Sequence, residues 1–522
     1  MTTTRGGRPR HPREAAPLGP RTSQRPTQRK PASAGQPGQQ SGLARLIRRT
    51  QAAMDSRALT DYTLIRTIVL VLAGLGVVMV LSSSMASSFA SSASVWSQAL
   101  RQTVMVAGGL FLFWIMLKMP PDRLRRLAHV IMIVAVLLLI VVLTPIGTGR
   151  DEVGSQSWLV FGPISVQPSE LARVAIAIWG ASVLANKDYT RPSKLDNGFA
   201  PFIAVAILCV GLIGLQGDYG MAVSFSVVVA FILLFAGISW RLIGAAAAVA
   251  MVGMVFVFLS GGYRSDRFHV YFDALFGRFE DTRDTAFQSH QGYLSLADGS
   301  LFGVGLGQSR AKWFYLPEAR NDFIFAVIGE ELGLWGGALV IILFGLLAFF
   351  GLRAARRAQN QFQALLAAAL TTGVVSQAFI NIAYVLGLLP VTGIQLPMLS
   401  AGGTSAVITL AAMGILASVA RHEPDAVSSM QNYGRPAFDR ILGIGEPKSP
   451  GQLAKPQARR PEQRASAGHR ERYGDPVTAR PPVSRRPMQR PVQRPAAGVR
   501  APERPRYDVR RDNSWRGDRR AS

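Results

Sequence analysis

Apolar residues in this chain fall into long runs, and polar residues collect in the intervals and at both ends. Ten runs stand out, near 63–83, 103–119, 127–147, 169–186, 199–216, 218–237, 241–260, 322–351, 361–386 and 401–420. A helix needs about 20 apolar residues to cross a hydrocarbon core of about 30 Å. The pattern therefore predicts an all-α polytopic membrane protein, with ten transmembrane helices in residues 61–420. The eighth run is long enough to tilt or to project past the bilayer. Some 60 largely polar residues precede the first run, which excludes a cleaved signal peptide there. No repeat of fixed period is visible.

Charge changes the picture at the ends. Of 57 Lys plus Arg and 31 Asp plus Glu, residues 1–60 hold 12 and 2, and residues 421–522 hold 23 and 11. The ends carry +22 of the +26 formal charge and leave +4 for the apolar body. Stretches so polar cannot bury enough apolar surface to fold alone, so both read as disordered basic arms. An ordinary soluble enzyme is excluded. A nucleic-acid binder is excluded too, because Arg485, Arg486, Arg504 and Arg506 sit among prolines without an aromatic stacking platform. The arms suit an anionic leaflet, where each basic residue contributes about 1 kcal/mol. The single cysteine, Cys209, excludes an intramolecular disulfide framework.

Basic residues also orient the body. The even-numbered connections hold 11, among them Lys118, Lys187, Lys194 and Arg353, while the short odd ones hold only Arg101 and Arg150. Positive connections stay inside, so both ends are expected in the cytoplasm. One outer connection, 261–321, is 61 residues long. Loops of that length are functional or disordered. Aromatics at Phe268, Tyr271, Phe272, Phe276 and Phe279 argue for order, as an amphipathic helix on the membrane surface.

The chemistry-bearing residues cluster around that loop. Glu280, Asp281, Arg283 and Asp284 precede Gln288, His290 and Gln291. Crowded carboxylates can hold a proton or a hard cation, although a solvated, salt-bridged turn has the same composition. Gly303, Gly305 and Gly307 precede Lys312 and Glu318. Their amides could approach a phosphate, or the glycines could simply make a turn. Asp322, Glu330 and Glu331 enter the eighth run, as functional groups or as a cap and a structural ion pair. Ahead of the fourth run, Ser169 reads as a helix cap and Glu170 suits the helix dipole, while Arg173 must either snorkel or face a cavity. Asp218 reads as the cap of the sixth.

Four stretches together resemble the family of shape, elongation, division and sporulation proteins (SEDS). They are GSQSWLVFGPISVQPSELAR at 154–173, LQGDYG at 215–220, GLGQSRAKWFYLPEARNDFIFAVIGEELG at 305–333 and LPMLSAGGTSA at 396–406. GLGQS, YLPEA and IGEELG are closer to the division branch than to the elongation branch. The resemblance implies a peptidoglycan glycosyltransferase that polymerises lipid II at the outer leaflet, partnered by a class B penicillin-binding protein transpeptidase. It implies an essential aspartate in the large outer loop, which maps to Asp281, with Asp284 as the other candidate. Thr282 stands where the family has Pro, Ala286-Phe287 replaces Gly-Tyr, Arg173 replaces Lys, and Arg320-Asn321 replaces His-Thr. Ala401 stands where an aromatic is usual.

By that resemblance, Asp281 serves as base or as ligand of a divalent cation (Mg or Mn), with no organic cofactor. Glu170, Arg173, Gln288, Lys312, Glu318, Asp322 and Ser400 would surround the substrate. Other division proteins would meet the cytoplasmic arms at the septum. A lipid II flippase is the rival, since it needs the same intramembrane charges.

Overall fold

The computed structural model describes residues 57–92, 96–150, 154–162, 164–185, 198–238, 285–310 and 319–447, with isolated positions between. It is mostly helical. The helices are α1 (Thr60–Ser92), α2 (Ser97–Lys118), α3 (Pro121–Val141), α4 (Pro168–Leu184), α5 (Phe199–Leu215) and α6 (Tyr219–Phe235). They continue with α7 (Thr285–Gly299), α8 (Ile324–Arg357), α9 (Gln361–Val385), α10 (Gly403–Arg421), α11 (Pro424–Tyr433) and α12 (Ala437–Ile441). Six of them, α1–α3 and α8–α10, contain stretches long and apolar enough to cross a membrane, while α5 and α6 are shorter apolar helices. Nine of the ten apolar runs coincide with these elements; the seventh, 241–260, lies almost wholly outside the described residues.

Burial singles out α9 and α10 as the centre of the bundle. About three-quarters of their apolar windows are buried (78% and 72%), against 28–44% for the other four long helices. Small residues make this possible, because they let helix backbones approach closely. A Cβ on Gly414 would lie 2.5 Å from the Phe113 carbonyl oxygen, and one on Gly351 would collide with Thr371. Helix α10 therefore lies flush on α2, and α9 on α8, with α1, α4 and α6 packed around them.

Four features depart from the sequence reading. First, the fold is not wholly α: before α4, β1 (Gly147–Thr148), β2 (Trp158–Phe161) and β3 (Ile164–Val166) form a small antiparallel sheet. Second, α4 starts at Pro168, whose fixed φ and missing N–H suit the first helical position. Ser169 is therefore not the cap; its side chain is fully buried.

Third, the long connection before α8 contains α7, which hydrophobic periodicity did not predict. Its buried stripe is Ser289, Gly292, Ser295 and Gly299, small residues spaced three and four apart. A Cβ on Gly299 would collide with the Gly329 carbonyl, so α7 rides directly on α8. Of the five aromatics expected to form a surface helix, only Tyr271 and Phe272 are described, both helical, and the Tyr271 hydroxyl donates to the Leu388 carbonyl at 3.1 Å.

Fourth, the ordered body does not stop at residue 420. Helices α11 and α12 follow, and Asp439 is fully buried, so this part of the stretch that charge composition assigns to an arm is folded. Isolated salt links in a polar stretch are invisible to composition. Here Asp439 accepts from the Tyr62 hydroxyl at 2.5 Å and pairs with Arg421 at 2.8 Å.

Candidate functional site

The most strongly constructed polar site joins α4, α6, α9 and α10 near the ends where α4, α6 and α10 begin. Arg173 lies one turn into α4 and is buried, as is Glu170. Arg173 Nη2 donates to Glu170 Oε2 at 2.6 Å, while Nη1 reaches the Ser224 hydroxyl at 3.2 Å and the Gln377 side-chain oxygen. The other Glu170 oxygen accepts from the Ser405 hydroxyl at 3.1 Å and from Gln377 Nε2 at 3.4 Å. Gln377 Nε2 also donates to the Gln395 carbonyl at 3.1 Å. A charged pair taken out of water is tolerable only when such hydrogen bonds complete it. A small cavity begins at Arg173 and runs between apolar walls that include Val174, Val228, Leu370 and Val374. The Thr409 hydroxyl also lines it, with no hydrogen-bond partner among the described residues.

Asp218 sits beside this knot in the turn between α5 and α6. Its carboxylate caps α6 by accepting from the Met221 amide at 3.1 Å, as the sequence predicted, and accepts from Gln167 Nε2 at 2.8 Å.

A second network stitches residues 320–322 to 394–401. Ser400 Oγ donates to the Asn321 carbonyl at 2.6 Å and accepts from the Leu396 amide at 2.9 Å. The Asn381 side-chain amide donates to the carbonyls of Asp322 and Ile394, and the Tyr384 hydroxyl lies within hydrogen-bond reach of the same two oxygens, with one proton to give. Ser400 is buried, and both of these bonds are made inside the fold.

The glycine-rich turn makes a third network and favours the turn over the phosphate alternative. The amides of Val304 and Gly305 bind the carbonyls of Glu330 and Glu331, at 2.9 and 3.0 Å. The Arg310 amide and the Ser309 hydroxyl both donate to the Glu330 carboxylate at 2.6 Å. Glu331 takes the Ser82 hydroxyl at 2.6 Å and the Ser309 amide at 3.4 Å. These amides thus bind the protein's own oxygens. Glu330 and Glu331 are anchors, and Gly333 (φ 67°, ψ −163°) breaks α8 so that the turn can dock.

Of the predicted site residues, Glu170 and Arg173 come together. Ser400 and Asp322 lie in the neighbouring stitch, and Gln288 lies on α7, half-buried. Asp281, Asp284, Lys312 and Glu318 fall outside the described residues. Gln377, Ser405 and Ser224 were missed. An amide inside an apolar run was the available signal for Gln377, because polar groups at membrane depth need partners.

Residues 62–425 match the model of the FtsW/RodA/SpoVE family, described as cell cycle proteins. The chain belongs to this family. A family member from Mycobacterium tuberculosis, named probable peptidoglycan glycosyltransferase FtsW, is 39% identical over 451 residues, 82% of this chain and 85% of its own. The Bacillus subtilis protein of the same name is 35% identical over 69% of this chain and 90% of its own. Among solved structures, a component of a peptidoglycan synthase complex that coordinates polymerization and crosslinking aligns at TM-score 0.55. It is 26% identical and covers 69% of this chain and 97% of its own. The rod shape determining protein RodA of Thermus thermophilus aligns at 0.50 with 25% identity, over 69% of this chain and 96% of its own.

Proposed function

We propose that this protein is a peptidoglycan glycosyltransferase that polymerises lipid II at the outer leaflet during septal wall synthesis. The observation that carries this reading is the continuous family match over residues 62–425, with FtsW relatives 35–39% identical that bear the activity in their names. In this reading the chain is a ten-span protein of the bacterial plasma membrane with both ends in the cytoplasm. The apolar runs and the bias of basic residues support it.

The chemistry is a single displacement. A sugar 4-hydroxyl attacks the anomeric carbon of the donor, the bond from that carbon to the diphosphate oxygen breaks, and the hydroxyl proton passes to a base. Inversion converts an α-linked donor into a β-1,4 chain and releases polyprenyl diphosphate. We assign the base to Asp281, with Asp284 as its competitor, and charge stabilisation of the leaving group to Lys312. Arg173, bonded to Glu170, to Ser224 of α6 and to Gln377 of α9, is proposed to hold the walls of the substrate site in place, on the side of the diphosphate.

No group of three or more His, Cys, Asp or Glu side chains among the described residues could hold a metal. A divalent cation at Asp281 would supply neutralisation of the diphosphate, and a carboxylate is a suitable hard ligand for it. A class B penicillin-binding protein is the proposed partner, in keeping with the synthase complex among the structural relatives.

The test is polymerisation of labelled lipid II by the full chain with its transpeptidase, with and without EDTA, beside Asp281→Ala and Asp284→Ala. Long strands lost only in Asp281→Ala are expected. Full activity in that variant would remove Asp281 from the mechanism. Absence of polymer from the native pair, with lipid II crossing sealed vesicles, would replace the enzyme by a transporter.

A further inference from the structure

The segment after α10 doubles back on the bundle and presents a small tip. Two buried pins hold it. Asp439 is locked by the Tyr62 hydroxyl and Arg421, and Ile444 is 1% exposed. Its backbone is held as well: the Ile444 carbonyl accepts from Arg435 at 3.1 Å, and the Gly445 carbonyl from Arg421 at 2.5 Å. Between the pins, Arg440, Ile441 and Leu442 project outward before Gly443 turns the chain at φ 61°.

Ile441 is 82% exposed, an unusual state for an isoleucine in a segment so firmly fixed. Its surroundings say what covers it. The Trp114 indole N–H donates to the Leu442 carbonyl at 2.9 Å, and the Trp114 ring stacks on Phe111, which is 59% exposed on the outside of membrane helix α2. Lys118, at the end of the same helix, lies 3.7 Å from the centroid of the Trp114 ring. A tryptophan with a lysine one turn further out marks the headgroup level of a membrane helix. The tip therefore sits beside lipid-facing surface at that level. Arg440 flanks it, and beyond Glu446 the chain carries 20 Lys plus Arg against 7 Asp plus Glu.

We infer that Arg440, Ile441 and Leu442 form a foot that inserts into the anionic cytoplasmic leaflet and fixes the root of the basic C-terminal arm to the headgroups. The apolar pair would enter the acyl boundary, while Arg440, Lys118 and the arm meet the lipid phosphates. The side of the membrane rests on the orientation proposed above; the insertion does not.

The test uses the full chain with Cys209→Ser, spin-labelled at Ile441→Cys, Ser428→Cys or Phe111→Cys, in phosphatidylglycerol–phosphatidylethanolamine vesicles. Power saturation then compares collision with oxygen and with a water-soluble nickel chelate. The label at 441 should be protected from nickel and open to oxygen, like that at 111 and unlike that at 428. Arg440→Glu, or vesicles of phosphatidylcholine alone, should raise nickel collision at 441 several-fold. A label at 441 as nickel-accessible as at 428 would overturn the foot. Indifference to lipid charge would remove the anionic-headgroup part. Reaction of Ser428→Cys with an impermeant maleimide added outside intact cells would overturn the orientation alone.

Discussion

Arg173 and Glu170 lie one turn apart on α4 and are joined at 2.6 Å, both almost entirely out of solvent. The pair is completed by Gln377 from α9, Ser224 from α6 and Ser405 from α10, so a local contact becomes the tie between four helices. Breaking such a pair leaves an uncompensated charge, which costs about 3–5 kcal/mol. Glu170→Ala should lower the thermal unfolding temperature in detergent and reduce lipid II polymerisation by more than tenfold. Glu170→Gln, which keeps an acceptor, should recover part of both. Equal behaviour of Glu170→Ala and the native chain would refute the tie.

The break in α8 invites a separate test. Gly333 occupies a positive φ, and a Cβ there would collide with the Gly303 amide nitrogen. Gly333→Ala should undock the glycine-rich turn and the segment leading to Lys312. We expect polymerisation to fall at least tenfold while helical circular dichroism stays unchanged.

The contact between α2 and α10 gives a pair of opposite predictions. Gly414→Ala meets the backbone of Phe113, and overpacking of this kind costs about 1–3 kcal/mol. Gly108→Ala, on the exposed side of α2, meets nothing within 4 Å, and a helix gains about 1 kcal/mol from that exchange. Unfolding temperatures should move down for the first and up for the second.

Glu423, between α10 and α11, should make stability depend on pH. Burial raises its carboxyl from 4.5 to about 8; Asp61 and Asp425 push the same way, and Arg357 and Arg353 oppose them. The folded state therefore keeps a proton that the unfolded chain releases. The contribution is fully present below pH 4.5 and is lost as pH rises toward about 8. The slope is at most about 1.4 kcal/mol per pH unit. Melting between pH 5 and 9 should show this decline in the native chain and a flatter profile in Glu423→Gln.

The helical, membrane-embedded character of the body was legible in the apolar runs, and nine of them coincide with helices. Asp218 as a cap was legible too, because a short carboxylate before an apolar helix has a local reason to be there. Helix α7 was not. Its packing face is made of Ser and Gly, which carry no hydropathy signal and matter only because Gly329 lies opposite. The roles of Gly303, Gly305 and Gly307 were ambiguous for a similar reason, since backbone amides suit a phosphate or another oxygen of the protein equally well.

What the sequence determined by itself is what local physics controls: which stretches are apolar enough for a membrane, where charge collects, and which family motifs stand in order. The tertiary structure decided who meets whom. Gln377 is 204 residues from Arg173, Asp439 is 377 from Tyr62, and Ser82 is 249 from Glu331. Each pairing exists because a desolvated polar group must find a partner, and only the packing of the helices determines which partner is within reach.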